Sequence, residues 1–468
     1  MRARPPRAAL VAPLVACVAA AAIVSAQAQR PPDEAARALA REIFQELVAI
    51  PSAAEQGGSA RAAQAILRRL TAAGFSKDDV QVAGPDPQAP CLVVRYRGTD
   101  AAARPVLFMA HMDVVDARRE DWSVDPWTLL ERDGWLYGRG TSDNKTGVTT
   151  LVANFVRLRS EGWQPRRDLI VLLTGDEESK QTGLPWILSE RRALIDAELA
   201  VNTDSGAVIV KDGRPSLFTV QASEKMYADF RLDVTDAGGH SSLVRPDNPI
   251  YTLAAALQRI AGHRFPVHVT DAVRAFFERA ATVETGQLAA DMRAVARPTP
   301  DEAAVTRLSE MPFYNARLRT TCVATQVQAG HAPNALPQLA RANVNCRILP
   351  GESPADVEST VRRLAGDRVT VTVAVAAEPS PASPVTPDIL RRFEQVAAPQ
   401  WPGVPVAPAM ETGGTDGRHL RSAGIPTYGV SALTMDPDDV RAHGKDERVS
   451  VRGFYDAVDF WYRLMRTF

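Results

Sequence analysis

A chain of 468 residues is too long for one hydrophobic core and implies two or three domains. Lys plus Arg at 54 against Asp plus Glu at 55 leave a net charge of -1, which excludes the basic excess of a nucleic-acid binder. Hydrophobic residues at 45% and charged residues at 23% match a soluble globular protein with apolar material for sizeable cores.

The N-terminus departs from that average. Arg2, Arg4 and Arg7 precede an almost wholly apolar or small stretch over residues 8–26, which Gln27, Gln29 and Arg30 close. Small residues at Ala26 and Ala28 suit a signal peptidase. The pattern predicts a signal peptide over residues 1–28, hence a periplasmic or secreted protein with no stable membrane span in the mature chain. An uncleaved anchor competes with it, since the stretch approaches the length that spans a bilayer. A lipoprotein box ending at Cys17 is disfavoured because the residues after it stay apolar. Cleavage would leave Cys91, Cys322 and Cys346. Cys322 and Cys346 fall in neighbouring extended segments, either as a disulfide of an oxidising compartment or as buried thiols. They show no CxxC spacing, which argues against a thiolate zinc site.

Apolar residues at helical spacing (Leu39, Ile43, Leu47; then Ala63, Ile66, Leu67, Leu70) predict helices over 33–49 and 59–73. Short, mostly apolar runs at 92–96, 106–110, 169–174 and 199–203 predict buried strands, with helices at 146–160 and 183–191 between them. Such strands alternating with helices indicate an α/β sheet with substantial parallel content, covered on both faces. The texture changes near 218. Residues 226–234 alternate (Tyr227, Asp229, Arg231, Asp233 against Ala228, Phe230, Leu232, Val234), as a half-buried strand does. A helix at 250–262, a loosely patterned helical insertion at 270–320, a strand at 339–349, a helix at 353–365 and a strand at 369–375 follow. They predict a smaller α+β unit over 218–380, inserted between the halves 29–217 and 381–468 of the first domain. Pro379, Pro381, Pro384 and Pro387 mark the return, and a last amphipathic helix begins at 452.

The chemistry-bearing residues gather at strand ends. His111 and Asp113 follow the 106–110 strand and alternate onto one side of it, where the carboxylate can orient the imidazole. Asp143 lies in the turn 138–145 that feeds a helix, where capping is the ordinary role. Asp176, Glu177 and Glu178 stand beyond the 169–174 strand, and their mutual repulsion is relieved either by solvent or by a divalent cation. Asp204 follows the 199–203 strand, and His443 sits in a late loop. Each alone reads as surface chemistry. Together they place two histidines and several carboxylates at the ends of successive strands, where α/β sheets bind ligands and where imidazole plus carboxylate suits zinc.

The segments HMD at 111, GRGTSDNK at 138, DEE at 176, TD at 203, GGH at 238, NVNCRILPG at 343, GGTDGR at 413 and the late His443 together resemble the M20 metallopeptidases. That group includes glutamate carboxypeptidase, the carboxypeptidase S type enzymes, succinyl-diaminopimelate desuccinylase and aminoacylase. The resemblance implies a zinc-peptidase domain with a mixed, mainly parallel sheet flanked by helices. It also implies a ferredoxin-like α+β unit acting as lid and dimerisation domain. It implies two Zn2+ ions, with Co2+ or Mn2+ able to substitute. Asp143 would bridge them, His111 and Asp204 would complete one position, and Glu178 and His443 the other. Asp113 would orient His111, Glu177 would be the general base, and His240 would stabilise the oxyanion, often across a dimer interface. Arg347 would bind a substrate carboxylate, with Asn334, Gly414 and Thr415 lining the cleft. The implied activity is cleavage of a peptide or N-acyl-amino-acid amide bearing a free carboxylate. An N-deacylase of small metabolites is the near alternative, and an inactive binding module the distant one. Asn144 stands where many members carry another small or acidic residue, and the 270–320 insertion looks closest to the carboxypeptidase S type. His263, His268, His331 and His419 fit no motif and read as structural or exposed.

Overall fold

Strands Leu169–Thr174, Val106–His111, Leu199–Asn202 and Thr427–Gly429 lie side by side and parallel. They form the centre of a ten-stranded mixed sheet in the computed structural model, which describes residues 34–468. The expected signal peptide and Cys17 lie outside the described residues. Antiparallel Cys91–Tyr96 and Val80–Ala83 extend one side of the sheet. On the other side, Arg214–Glu224 runs antiparallel to Thr427–Gly429 and pairs with Val208–Lys211 and Val406–Glu411.

The apolar runs follow from burial on both faces. In Val106–His111 the residues Val106, Phe108 and Ala110 enter the core under helices Glu34–Val48, Lys145–Ser160 and Val451–Met465. Leu107 and Met109 enter the opposite core under Gly183–Glu190 and Gly417–Ser422. Aromatic contacts such as Phe44 on Phe454, with centroids 4.7 Å apart, and Phe108 on Trp461, at 5.8 Å, lock the first helical layer.

A separate antiparallel sheet orders Thr321–Ala329, Leu339–Ile348, Met226–Thr235 and Thr370–Val375. Helices Pro249–Gly262 and Pro354–Ala365 cover one of its faces. The other is open, so Met226–Thr235 alternates buried and accessible along its length. Cys322 and Cys346 stand directly opposite each other in this sheet and are joined as a disulfide.

Two features differ from the sequence reading. Residues 218–224, expected in the smaller unit, are the end of the long strand Arg214–Glu224 in the large sheet. The insertion forms helices Asp271–Ala280, Gly286–Val295, Glu302–Ser309 and Pro312–Leu318. Their apolar faces pack on Leu217, Ala407, Ala409 and Met410 of the large sheet rather than on the small one. The small side chains of Ala407 and Ala409 admit that close approach. Lys225 marks the crossing between the sheets. Its N–H donates to Glu411 O at 3.0 Å, and its Nζ donates to Arg319 O at 2.7 Å on the returning chain. Burial pushes its ammonium down to about 7.

Candidate metal centre and substrate surface

Parallel pairing aligns the C-terminal ends of three strands, with His111 opposite Thr174 and Met109 opposite Asn202. His111, Asp204 and the pair Glu177 and Glu178 therefore emerge at one edge. Asp143 arrives from the turn before helix Lys145–Ser160, and His443 from the loop before strand Arg448–Ser450. His111 Nε2 lies 2.9 Å from Asp143 Oδ1 and 3.7 Å from Asp204 Oδ1. His443 Nε2 lies 2.8 Å from Glu178 Oε1 and 3.2 Å from Asp143 Oδ2. The two oxygens of Asp143 thus address two imidazoles. Ligand atoms of His111, Asp143 and Glu178 lie within 4.8 Å of one another, as do those of His111, Glu177 and Asp204.

A surrounding shell holds this cluster. His111 Nδ1 meets Asp113 O at 3.0 Å, which leaves Nε2 for the cluster. Buried Asp113 accepts from Glu177 N at 3.1 Å on one oxygen and from Glu178 N at 2.8 Å on the other, so one carboxylate fixes the whole acidic turn. Asp176 faces away. Its carboxylate accepts from Thr182 N at 2.6 Å and Gly183 N at 3.1 Å, capping helix Gly183–Glu190. Asn144 Oδ1 accepts from Thr203 Oγ1 at 3.1 Å. Helix Lys145–Ser160 crosses that bond so closely that a Cβ on Gly147 would sit 2.0 Å from Asn144 Oδ1. Any larger residue at 147 would displace the helix that follows Asp143.

The electrostatics show what the cluster lacks. Burial pushes Asp204 up to about 7, assisted by Asp143 and Glu178 against the opposing pull of His111. Burial with Asp204 raises Glu177 well above the usual carboxylate range. Burial alone would lower His111, yet Asp204, Asp113 and Asp143 raise it well above an ordinary imidazole. Hydrogen bonds to Asp143 and Glu178 raise His443 to about 10. Too many carboxylates face too little positive charge, and protons are retained to compensate. Divalent cations would relieve the same excess.

The unit of the small sheet, together with a separate two-stranded ladder, carries a contrasting set of residues. His240 lies in the short strand Gly239–His240, paired with Ala335–Leu336, and Ser241 N donates to Asn334 O at 3.0 Å. The ladder thus brings His240 beside Asn334. Ser242 N donates to His240 Nδ1 at 3.2 Å, which puts the proton of the neutral ring on Nε2 of an exposed side chain. Arg347 lies on the open face of Leu339–Ile348, half-buried, with its guanidinium 4.7 Å from the centre of the Tyr227 ring. Among the described residues no carboxylate forms an ion pair with it.

A family model described as peptidase family M20/M25/M40 matches residues 107–467. The chain belongs to peptidase family M20. Human N-fatty-acyl-amino acid synthase/hydrolase PM20D1 is 33% identical over 387 residues, spanning 79% of this chain and 75% of that protein. Probable carboxypeptidase S-like 2 of Dictyostelium discoideum is 28% identical over 398 residues, spanning 80% and 74%. Human carnosine dipeptidase 1 has a similar structure, with a TM-score of 0.68 at 17% identity over 93% of this chain and 99% of that one. An M20 metallo-carboxypeptidase of Sulfolobus solfataricus gives 0.67 at 16% identity over 91% and 98%. At such identities the structural likeness establishes the fold, a large mixed sheet flanked by helices. The sequence relatives make this M20 chain a hydrolase.

Three features of this M20 site escaped the sequence reading. Asp416 is buried behind the cluster, where its carboxylate accepts from Thr174 Oγ1 at 2.7 Å and burial raises it to about 6. Its place in GGTDGR was visible, but not its direction. Thr415 does not line an open surface. Its N–H at 3.1 Å and its hydroxyl at 2.9 Å both donate to fully buried Glu224, which also pairs with Arg421 at 3.0 Å. The exposed part of that loop is Gly413 and Gly414. Glu447 is fully buried against the turn that carries Asp143, a contact between loops some 300 residues apart. His263, His268, His331 and His419 take no part in the cluster of potential ligands among the described residues.

Proposed function

We propose that this M20 hydrolase holds two zinc ions and cleaves an N-acyl-amino-acid or peptide amide whose product amino acid carries a free carboxylate. The observation that carries the reading is Asp143, whose oxygens lie 2.9 Å from the His111 ring and 3.2 Å from the His443 ring. A single carboxylate between two imidazoles suits a bridging ligand. His111 with Asp204 would complete one position and His443 with Glu178 the other, a nitrogen and carboxylate set suited to zinc, with cobalt or manganese able to replace it. Bubbles of charge such as this one, buried and over-supplied with carboxylates, favour cations. One neighbour in structure, Bacillus subtilis YXEP, is described as a dinuclear metal binding peptidase.

Bound there, the two ions would acidify a water and polarise the scissile carbonyl. Glu177, held by its backbone to Asp113, takes the proton of the attacking water and passes it to the leaving nitrogen. Asp113 keeps His111 and the acidic turn in place. His240 Nε2–H, freed by the contact of Nδ1 with Ser242, donates to the developing oxyanion, reaching it from a second copy in a homodimer formed through the small sheet's unit. That unit serves as the lid. Arg347, stacked on Tyr227 with the charge of Asp229 acting on it only from a distance, binds the carboxylate bidentately, with Asn334 and Gly414 beside the rest of the substrate. The Cys322–Cys346 disulfide supports export to an oxidising compartment by the N-terminal signal peptide. Among the described residues no helix is long and apolar enough to cross a membrane.

The test is hydrolysis of paired N-acyl amino acids and dipeptides, each with a free or an amidated C-terminus, by the zinc-loaded protein. Cleavage confined to the free acids supports the reading. Equal cleavage of the amides removes the role of Arg347 and leaves an amidase of other specificity.

A further inference from the structure

We propose that Glu447 is a positioning residue that sets the second ion position, the one formed by His443, Glu178 and Asp143; the inference rests on the two-ion reading above. Its carboxylate is fully buried and surrounded by donors. One oxygen accepts from Ser142 N at 2.7 Å, Ser142 Oγ at 2.8 Å and Asp143 N at 3.0 Å. The other accepts from Gly140 N at 2.8 Å and Arg139 Nη1 at 2.7 Å. The donors follow one another along the turn and end on the amide of Asp143 itself. They therefore fix the peptide plane from which the Asp143 carboxylate projects.

The same residue closes the loop of His443. Arg139, held by Glu447, donates from Nη2 to Gly444 O at 3.1 Å and reaches His443 O at 3.4 Å. Otherwise His443 is fixed by its ring's contacts with Glu178 and Asp143, two of the proposed ligands themselves. Its φ is 62° and its side chain is 54% exposed. His111 and Asp204, by contrast, stand at or just beyond the ends of buried strands that form without Glu447. Loss of Glu447 should accordingly release His443 and turn Asp143, which disturbs the second position through two of its groups and the first only through the shared Asp143 carboxylate.

In Glu447→Gln the side-chain volume is kept, but the amide presents two donors to a pocket of donors. The experiment is a Co2+ titration of chelator-stripped protein, followed by absorbance, with kcat, KM and the melting temperature of the ion-free protein measured alongside. Wild type takes up two ions. The variant is expected to bind one of the two ions about 10- to 100-fold less tightly, the scale found for residues behind metal ligands, and the other with a smaller change. Its kcat should fall and recover in excess Co2+, with KM unaltered. Ser142→Ala, which removes a single donor, should move the same affinity a few-fold and covers the case in which Glu447→Gln does not fold. A purely structural Glu447 would lower the melting temperature and leave both affinities at wild-type values; that result, or equal weakening of both ions, overturns the proposal. If wild type takes up no ion, the two-ion reading itself has failed.

Discussion

The cluster at the strand ends and the open face of the small sheet are built in opposite ways. His111, Asp113 and Glu177 are at most 6% exposed, and Asp113 uses both oxygens to hold backbone N–H groups. In the small sheet's unit, His240 is exposed and the Arg347 guanidinium rests on an aromatic ring. The first region has its hydrogen bonds made before any substrate arrives. The second keeps its donors unspent. Chemistry benefits from groups that need no reorganisation, whereas recognition requires groups still able to form bonds. The expected consequence is a division of kinetic labour: changes at the strand ends act on kcat or metal content, and changes on the small sheet act on KM or the oxyanion.

The largest test of this division is metal removal. Stripping with a chelator should abolish hydrolysis, and readdition of zinc should restore it; activity that survives verified removal would break the comparison at its root. His111→Ala and Asp143→Ala should each lower bound zinc, measured by elemental analysis, and unchanged content in both would sink their assignment. Next, Glu177→Ala should keep its zinc but lose about 10²- to 10⁴-fold in kcat, the range for a general base. A near-normal kcat would move the base elsewhere. On the opposite face, Arg347→Ala should raise KM for free-acid substrates by about 10- to 100-fold with little change in kcat, as expected for a lost charge-assisted pair. A fall in kcat alone would erase the contrast between the two regions.

A smaller effect concerns pH. In the ion-free protein His443 is raised to about 10 by Asp143 and Glu178, and Asp204 to about 7 by burial. Both groups bind protons more tightly folded than unfolded. The stability they contribute is complete below their unfolded values and is lost as pH rises through about 7 for Asp204 and about 10 for His443. Zinc held by these residues would displace those protons, so the rise in melting temperature on adding zinc should grow between about pH 5 and pH 8. Groups outside the cluster, such as Lys225, contribute to both forms and drop out of the difference. Calorimetry across pH with and without zinc measures it, and a gain that shrinks with pH would contradict the proton count. Smallest, replacing Cys322 and Cys346 together by Ser should cost roughly 2–4 kcal/mol for a loop of this length. It should lower the melting temperature of the small sheet's unit while kcat stays near wild type.

What the sequence made legible follows the same line. His111 and Asp204 could be placed because a short, mostly apolar run ends just before each, and such runs mark buried strands. The 226–234 alternation announced a sheet with one open face. The insertion at 270–320 was visible as helices, but periodicity tells which side of a helix is apolar and not what it meets. Its packing on Ala407 and Ala409 was therefore hidden, as was the continuation of Arg214–Glu224 into the large sheet. Glu447 was hidden for a stronger reason. Next to Lys445 and Asp446 it reads as one more charge in a polar loop, and only the fold brings it to Ser142 and Asp143. Asp176 shows the reverse case, a carboxylate inside an acidic trio that the fold spends on a helix cap.

The wide spacing of the ligands along the chain has a consequence for assembly. The contact between Glu178 and His443 joins residues 265 apart in sequence, and between them the chain builds the small sheet and the helical insertion. Contacts so distant close late, because a large loop must be ordered first. The rate at which a refolding chain captures zinc should therefore report the completion of folding rather than its onset, and metal uptake can serve as a clock for the last step.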